Sequence, residues 1–219
     1  MTTKFKCTYL AFIIFLSLGI EVYAQKTPFQ TEIEIILEKY PDNSFEKGGI
    51  VFTGSSSIRL WKSLDADFPE ITIINTGFGG SQTHEVLEYM EETVLRYFPS
   101  KVFIYVGEND IQSGKPIENI LNEYETLYDG ILNQNPNAMI YMISAKPSPS
   151  RWEKSAKMIL LNQKTKSLSD RLKNMTFISV WDEMLDTNGS PNEALFIQDR
   201  LHMNEKGYSI WADKIKQHL

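Results

Sequence analysis

Five short runs of almost unbroken apolar residues dictate what this chain can fold into. They occupy residues 49–53, 71–74, 101–106, 139–143 and 176–180. A strand that is apolar on both faces must be covered on both, as in a parallel sheet flanked by helices. The stretches between them have the other periodicity. Residues 82–97 carry Val86, Leu87, Met90 and Val94; residues 117–134 carry Ile120, Leu121, Tyr124, Leu127 and Leu132; residues 153–173 carry Met158, Leu161, Leu168 and Leu172. Spacing of three and four predicts a helix with one buried stripe in each. Further helices are expected over 28–40 and 203–218, the last opening after Asn204 as a cap. Strand–helix alternation of this kind predicts right-handed crossovers and a doubly wound parallel sheet in an α/β domain. Ligand sites in such sheets lie beyond the carboxyl ends of the strands. No internal repeat, linker or low-complexity tract divides the chain, so one domain is expected.

The first residues have a different character. Lys4 and Lys6 precede an apolar stretch from Tyr9 to Ile20, and Val22-Tyr23-Ala24 offers small residues where a signal peptidase cuts. Residues 1–24 therefore read as a secretory signal peptide, with an uncleaved anchor as the alternative, and 25–219 as the functional domain. This predicts a secreted or periplasmic protein with no stable membrane insertion after cleavage. The single cysteine, Cys7, lies inside the leader, so the mature chain would hold neither a disulfide nor a thiolate site. The net charge is −6, and loss of Lys4, Lys6 and Glu21 with the leader makes it one unit more negative. Nucleic acid is not an expected partner of so acidic a chain.

Four segments carry chemistry: Gly54-Ser55-Ser56-Ser57, Asn75-Thr76-Gly77-Phe78-Gly79-Gly80, Gly107-Glu108-Asn109-Asp110 and Asp199-Arg200-Leu201-His202. A serine where a strand turns into a helix can expose its hydroxyl while its own amide faces a developing oxyanion. Three adjacent serines leave the nucleophile open at this point, and helix capping is the commoner role for serine there. The glycine-rich turn lets a backbone amide approach a ligand, or is a plain tight turn. It lacks the Gly-x-Gly-x-x-Gly spacing, and no phosphate-binding Gly-Lys-Ser/Thr follows, so a nucleotide cofactor is not expected. Asn109 can donate through its side-chain amide, Asp110 can cap, and Glu108 reads as a solvated carboxylate. Asp199 three residues before His202 can fix one imidazole tautomer and leave the other nitrogen as a base. His84 reads as a surface or packing residue and His218 as inert at a frayed terminus. The His, Asp and Asn spacings match no metal-binding pattern, and no metal is expected.

In this order, the four segments resemble the sequence blocks of the SGNH hydrolases, also called the GDSL esterase/lipase family. The resemblance spans Gly54 to His202. It implies a flavodoxin-like, three-layer α/β/α fold around a five-stranded parallel sheet of order 2-1-3-4-5. It also implies Ser56 as nucleophile, His202 as base and Asp199 as its orienting carboxylate. The oxyanion donors it implies are the amides of Ser56 and Gly80 and the side chain of Asn109. Two positions depart from the family pattern: Ser55 stands where Asp is usual, and Ser57 where Leu or Ile is common. Ser55 is expected to cap the following helix in place of Asp. Residues 77–81 and 107–110 are similar to the small acetylhydrolase branch. The expected function is a secreted serine esterase acting on short-chain, chiefly acetyl, esters of carbohydrate. Arg151 and Trp152, in the loop after the fourth strand, are the expected substrate contacts, unless Trp152 packs that loop instead. The competing expectations are a lipase or lysophospholipase, and a carbohydrate-binding protein that has lost catalysis.

Overall fold

The computed structural model describes residues 28–219. The expected signal peptide and Cys7 lie outside the described residues. In chain order the elements are α1 (Pro28–Lys39), β1 (Ile50–Gly54), α2 (Ser56–Arg59), α3 (Leu64–Asp67), β2 (Ile73–Asn75), α4 (Thr83–Glu88), α5 (Met90–Thr93), β3 (Lys101–Tyr105), α6 (Glu108–Ser113), α7 (Ile117–Gln134), β4 (Met139–Ile143), α8 (Ser155–Ser169), β5 (Met175–Ile178) and α9 (Glu205–Lys216). One sheet collects the five strands in the order β2-β1-β3-β4-β5, every pair parallel. The expected α/β fold and strand order are what the structure has.

Strand side chains alternate between the faces. Val102, Ile104, Ile140 and Met142 point to the layer that holds Val86, Tyr124, Leu127, Leu161 and Leu168. Phe52, Phe103, Tyr105 and Tyr141 point the other way, against Trp61, Tyr208, Trp211 and Ile215. The parallel register puts Phe52 beside Phe103 and Phe103 beside Tyr141. Neighbouring strands are about 4.8 Å apart, so these rings stack directly, at centroid separations of 4.5 Å for both pairs.

The 82–97 helix is not continuous. It breaks into α4, α5 and a 3₁₀ turn at Leu95–Tyr97. The Thr93 carbonyl accepts the Thr76 hydroxyl at 2.7 Å, and Phe98 closes the segment in the left-handed region at φ 48°. The fifth strand ends earlier than its apolar run, because the Val180 amide leaves the ladder for Ser144 Oγ at 3.0 Å. The helix expected over 153–173 is α8, entered through a 3₁₀ turn at Pro149–Lys154. Asn204 caps α9 as expected, its side chain accepting from the Lys206 and Gly207 amides. His218 is not frayed: its ring lies 5.2 Å from that of Tyr141, and its carbonyl accepts from Lys101. No helix among the described residues is long and apolar enough to cross a membrane.

Candidate active site

Strand β1 delivers Ser56 to the carboxyl edge of the sheet. Gly54 ends the strand at φ +121°, and a Cβ there would collide with the Tyr105 carbonyl of β3. The absence of a side chain lets the two strands stay close through the turn, where the Ser55 amide donates to that carbonyl at 2.9 Å. Ser55 occupies the cap position of α2, but its side chain makes no cap bond, contrary to the expectation for it. It is buried against β3 instead, and only its carbonyl receives the first amides of the helix. Ser57 points inward, and its carbonyl accepts Tyr208 Oη.

The Ser56 hydroxyl oxygen lies 2.8 Å from His202 Nε2, and His202 Nδ1 lies 2.6 Å from Asp199 Oδ2. Asp199 Oδ1 accepts the Leu201 and His202 amides, both at 2.9 Å, which folds the four-residue segment into a tight turn. Arg200 pays for that turn with a left-handed φ of 59°. The turn is pinned at its base where Phe196 pairs with Met203 and the Ile197 amide meets the His202 carbonyl. Burial pushes the Asp199 carboxyl up, but the bonds from the His202 ring and the two amides outweigh it and hold it below its ordinary value. An ionised Asp199 accepts the Nδ1 proton and leaves the Nε2 lone pair facing the serine hydroxyl.

Asn109 stands in the first turn of α6, directly beyond β3. Gly107 precedes that helix at φ +110°, where a Cβ would strike the Tyr124 hydroxyl. Asn109 Nδ2 donates to the Ser81 carbonyl at 3.0 Å, which ties the amide to the loop that carries Gly80. Gly80 itself is exposed at φ +76°, with open space where a Cβ would be. Asp110 has the structural role expected of it. Its carboxylate is fully buried, accepts the Thr83 amide that opens α4 at 3.1 Å, and pairs with Lys115 at 2.7 Å.

Glu108 is not the solvated carboxylate that its position suggested. It is buried, with Lys146 Nζ at 2.5 Å, Ser148 Oγ donating at 2.8 Å, the Tyr105 hydroxyl donating to it, and Arg151 at 3.6 Å. Lys146 is only 1% exposed. Burial raises the Glu108 carboxyl, but Lys146 and Arg151 outweigh that and hold it below its usual range. Glu108 follows β3 by three residues and Lys146 follows β4 by three, so adjacent parallel strands bring them to one edge. That shared offset was the signal in the sequence. Arg151 is thus held by Glu108, and Trp152 stacks on Trp181 with centroids 6.0 Å apart. The structure gives both expected substrate contacts intramolecular partners. The same loop reaches the Asp199–His202 turn through the Ser150 amide, 3.0 Å from the Arg200 carbonyl. Beside His202 opens a groove of about 720 Å³, formed by the segment after α2 and the start of α9.

Fold and site together define a class: α/β proteins with a serine, an imidazole and a carboxylate in line at the carboxyl edge of a doubly wound sheet. The sequence profile of the GDSL-like lipase/acylhydrolase family matches residues 48–210, and the chain belongs to that family. Among solved structures it is similar to a protein from Streptococcus pneumonia provisionally described as a platelet activating factor. The two are 25% identical with a TM-score of 0.76, over 86% of this chain and 92% of the other. A GDSL-like lipase from Bacteroides thetaiotaomicron is 19% identical with a TM-score of 0.72, over 85% and 96% of the two chains. An acetyl xylan esterase from Geobacillus stearothermophilus (the W215I variant) is 18% identical with a TM-score of 0.59, over 79% and 94%. No curated protein sequence matches the chain.

Proposed function

We propose that this chain is a serine esterase that removes short acyl groups, acetyl above all, from carbohydrate esters. The observation that carries the reading is the unbroken line from Ser56 Oγ through His202 to Asp199, with links of 2.8 and 2.6 Å. His202 Nε2 takes the hydroxyl proton as Ser56 Oγ bonds to the ester carbonyl carbon. The amides of Ser56 and Gly80 and the Asn109 side chain receive the oxyanion. Collapse of the intermediate breaks the bond to the alcohol oxygen, which leaves with the proton from His202. Water then repeats the sequence on the acyl-enzyme, and acid and enzyme separate. Asp199 keeps the imidazole in the required tautomer and stabilises its cation. Membership of an acylhydrolase family supports the reaction class, and the acetyl xylan esterase likeness favours a carbohydrate alcohol. The leader-like residues 1–24 favour export to the periplasm or beyond, which the amino-terminal sequence of the protein made by cells would check.

The test is hydrolysis of 4-nitrophenyl acetate and octanoate by the chain and by Ser56→Ala, with fluorophosphonate labelling alongside. Ser56-dependent turnover that favours acetate is the expected result. Preference for octanoate would replace this reading with a lipase or lysophospholipase. Absence of both turnover and labelling would leave a carbohydrate-binding protein without catalysis.

A further inference from the structure

The lining of the groove beside His202 bears on which half of an ester it takes. Once the serine has attacked, the acyl carbon is bonded to Ser56 Oγ, so a pocket for a short acyl group must border Ser56, and the oxyanion must face its donors, Gly80 and Asn109 among them. The leaving oxygen must instead meet the proton on His202 Nε2. The groove is lined by His202 and by none of Ser56, Gly80 and Asn109. We infer that it seats the alcohol half of the substrate, and that this alcohol carries an anionic group beside an apolar face. The inference rests on the esterase reading and names the substrate class for the same centre.

Size, floor and charge all bear on the occupant. A volume of about 720 Å³ suits a whole ligand, since such sites span roughly 300–1,000 Å³. Leu60, Ile197, Met203 and Tyr208 supply an apolar lining, and Ile197 is left 47% exposed at its edge. Two cations, Lys62 and Lys206, reach the groove from separate segments of the chain. Neither has an ion-pair partner among the described residues, and only one carboxylate, Glu205, shares the lining. On a chain of net charge −6, that local excess of positive charge favours an anion next to the base. A uronate-type sugar is a carbohydrate with both features: its C–H face would meet the apolar lining and its carboxylate the two ammonium groups.

The experiment compares 4-acetoxybenzenesulfonate with 4-acetoxybenzenesulfonamide, which differ in charge but release phenols of similar acidity. The expected kcat/KM ratio favours the sulfonate by about threefold to tenfold, mainly through KM, and shrinks as salt is added. Lys62→Glu/Lys206→Glu is expected to invert the ratio, while Glu205→Gln raises it. All three side chains are exposed, and far-ultraviolet circular dichroism checks that each variant remains folded. Equal rates in the unmodified protein, or a ratio untouched by charge reversal, would overturn the anionic-alcohol assignment while leaving the esterase standing. Hydrolysis of neither ester above the Ser56→Ala level would instead sink the reading on which it rests.

Discussion

Replacing Lys146 by methionine tests the charged cluster behind the site most directly. The substitution keeps the length of an unbranched side chain and removes the ammonium group that lies 2.5 Å from Glu108 and 3.2 Å from the Tyr105 hydroxyl. Loss of one member of a buried pair costs about 3–5 kcal/mol, because the remaining charge stays out of water without its partner. Glu108 would not be wholly abandoned. Ser148 Oγ still donates at 2.8 Å, the Tyr105 hydroxyl still donates, and Arg151 remains at 3.6 Å. The expected loss is therefore at the lower end, about 3 kcal/mol. For a chain of this size that lowers Tm by about 10 °C. Urea unfolding followed by tryptophan fluorescence gives the free energy directly. Lys146→Met/Glu108→Gln should cost about 1–3 kcal/mol less than the two single substitutions added together, since a neutral amide can keep the Ser148 and Tyr105 bonds with no charge left to strand. A single-variant loss under about 1 kcal/mol, or strict additivity in the double variant, would refute a coupled charged pair.

The same cluster sets a pH dependence with a definite sign. The folded Glu108 carboxyl lies below its ordinary value because Lys146 and Arg151 outweigh the effect of burial. Its contribution to stability is thus fully present above the ordinary carboxylate range and is lost as pH falls through the folded value. Glu108→Gln removes that contribution, so its stability should fall less steeply on acidification than that of the unmodified chain. An equal slope would mean that other carboxylates govern acid unfolding.

Three further outcomes follow from particular contacts. Asn109→Ala should lower kcat by about 10²–10³ with little change in KM, the signature of a donor used in the transition state; an effect confined to KM would place the amide in ground-state binding. Gly54→Ala should abolish soluble folded protein, because φ +121° and the adjacent Tyr105 carbonyl leave no room for a methyl group; a normal Tm would contradict the packing at the β1 turn. Trp152→Ala should lower stability by less than the about 3–5 kcal/mol of a fully buried ring and leave KM for acetyl esters unchanged, since the indole is stacked on Trp181. A raised KM with unaltered Tm would place Trp152 against the substrate.

What the sequence made legible divides by the range over which each contact acts. The five strands were plain because burial on both faces forces continuous apolar runs, and Asp199 could be matched to His202 because a single turn settles that pairing. The end of α5 could not be read, because its last carbonyl, that of Thr93, accepts a hydroxyl 17 residues upstream, from Thr76. Spacing alone does not join Ser56 to His202, 146 residues away. Their meeting follows from topology, which sends the ends of β1 and the turn before α9 to the same edge of the sheet. Strand order entered through the family resemblance, since no individual residue encodes it. Glu108 shows the limit most clearly. A charged residue in a loop is assigned to solvent by default, and that default fails when an opposite charge stands at the same offset beyond the neighbouring strand. Glu108 and Lys146 satisfy that condition across β3 and β4, and Arg151 lies 3.6 Å from the same carboxylate. Candidate binding residues in doubly wound sheets are therefore best screened for partners at matching strand ends before any is assigned to a ligand.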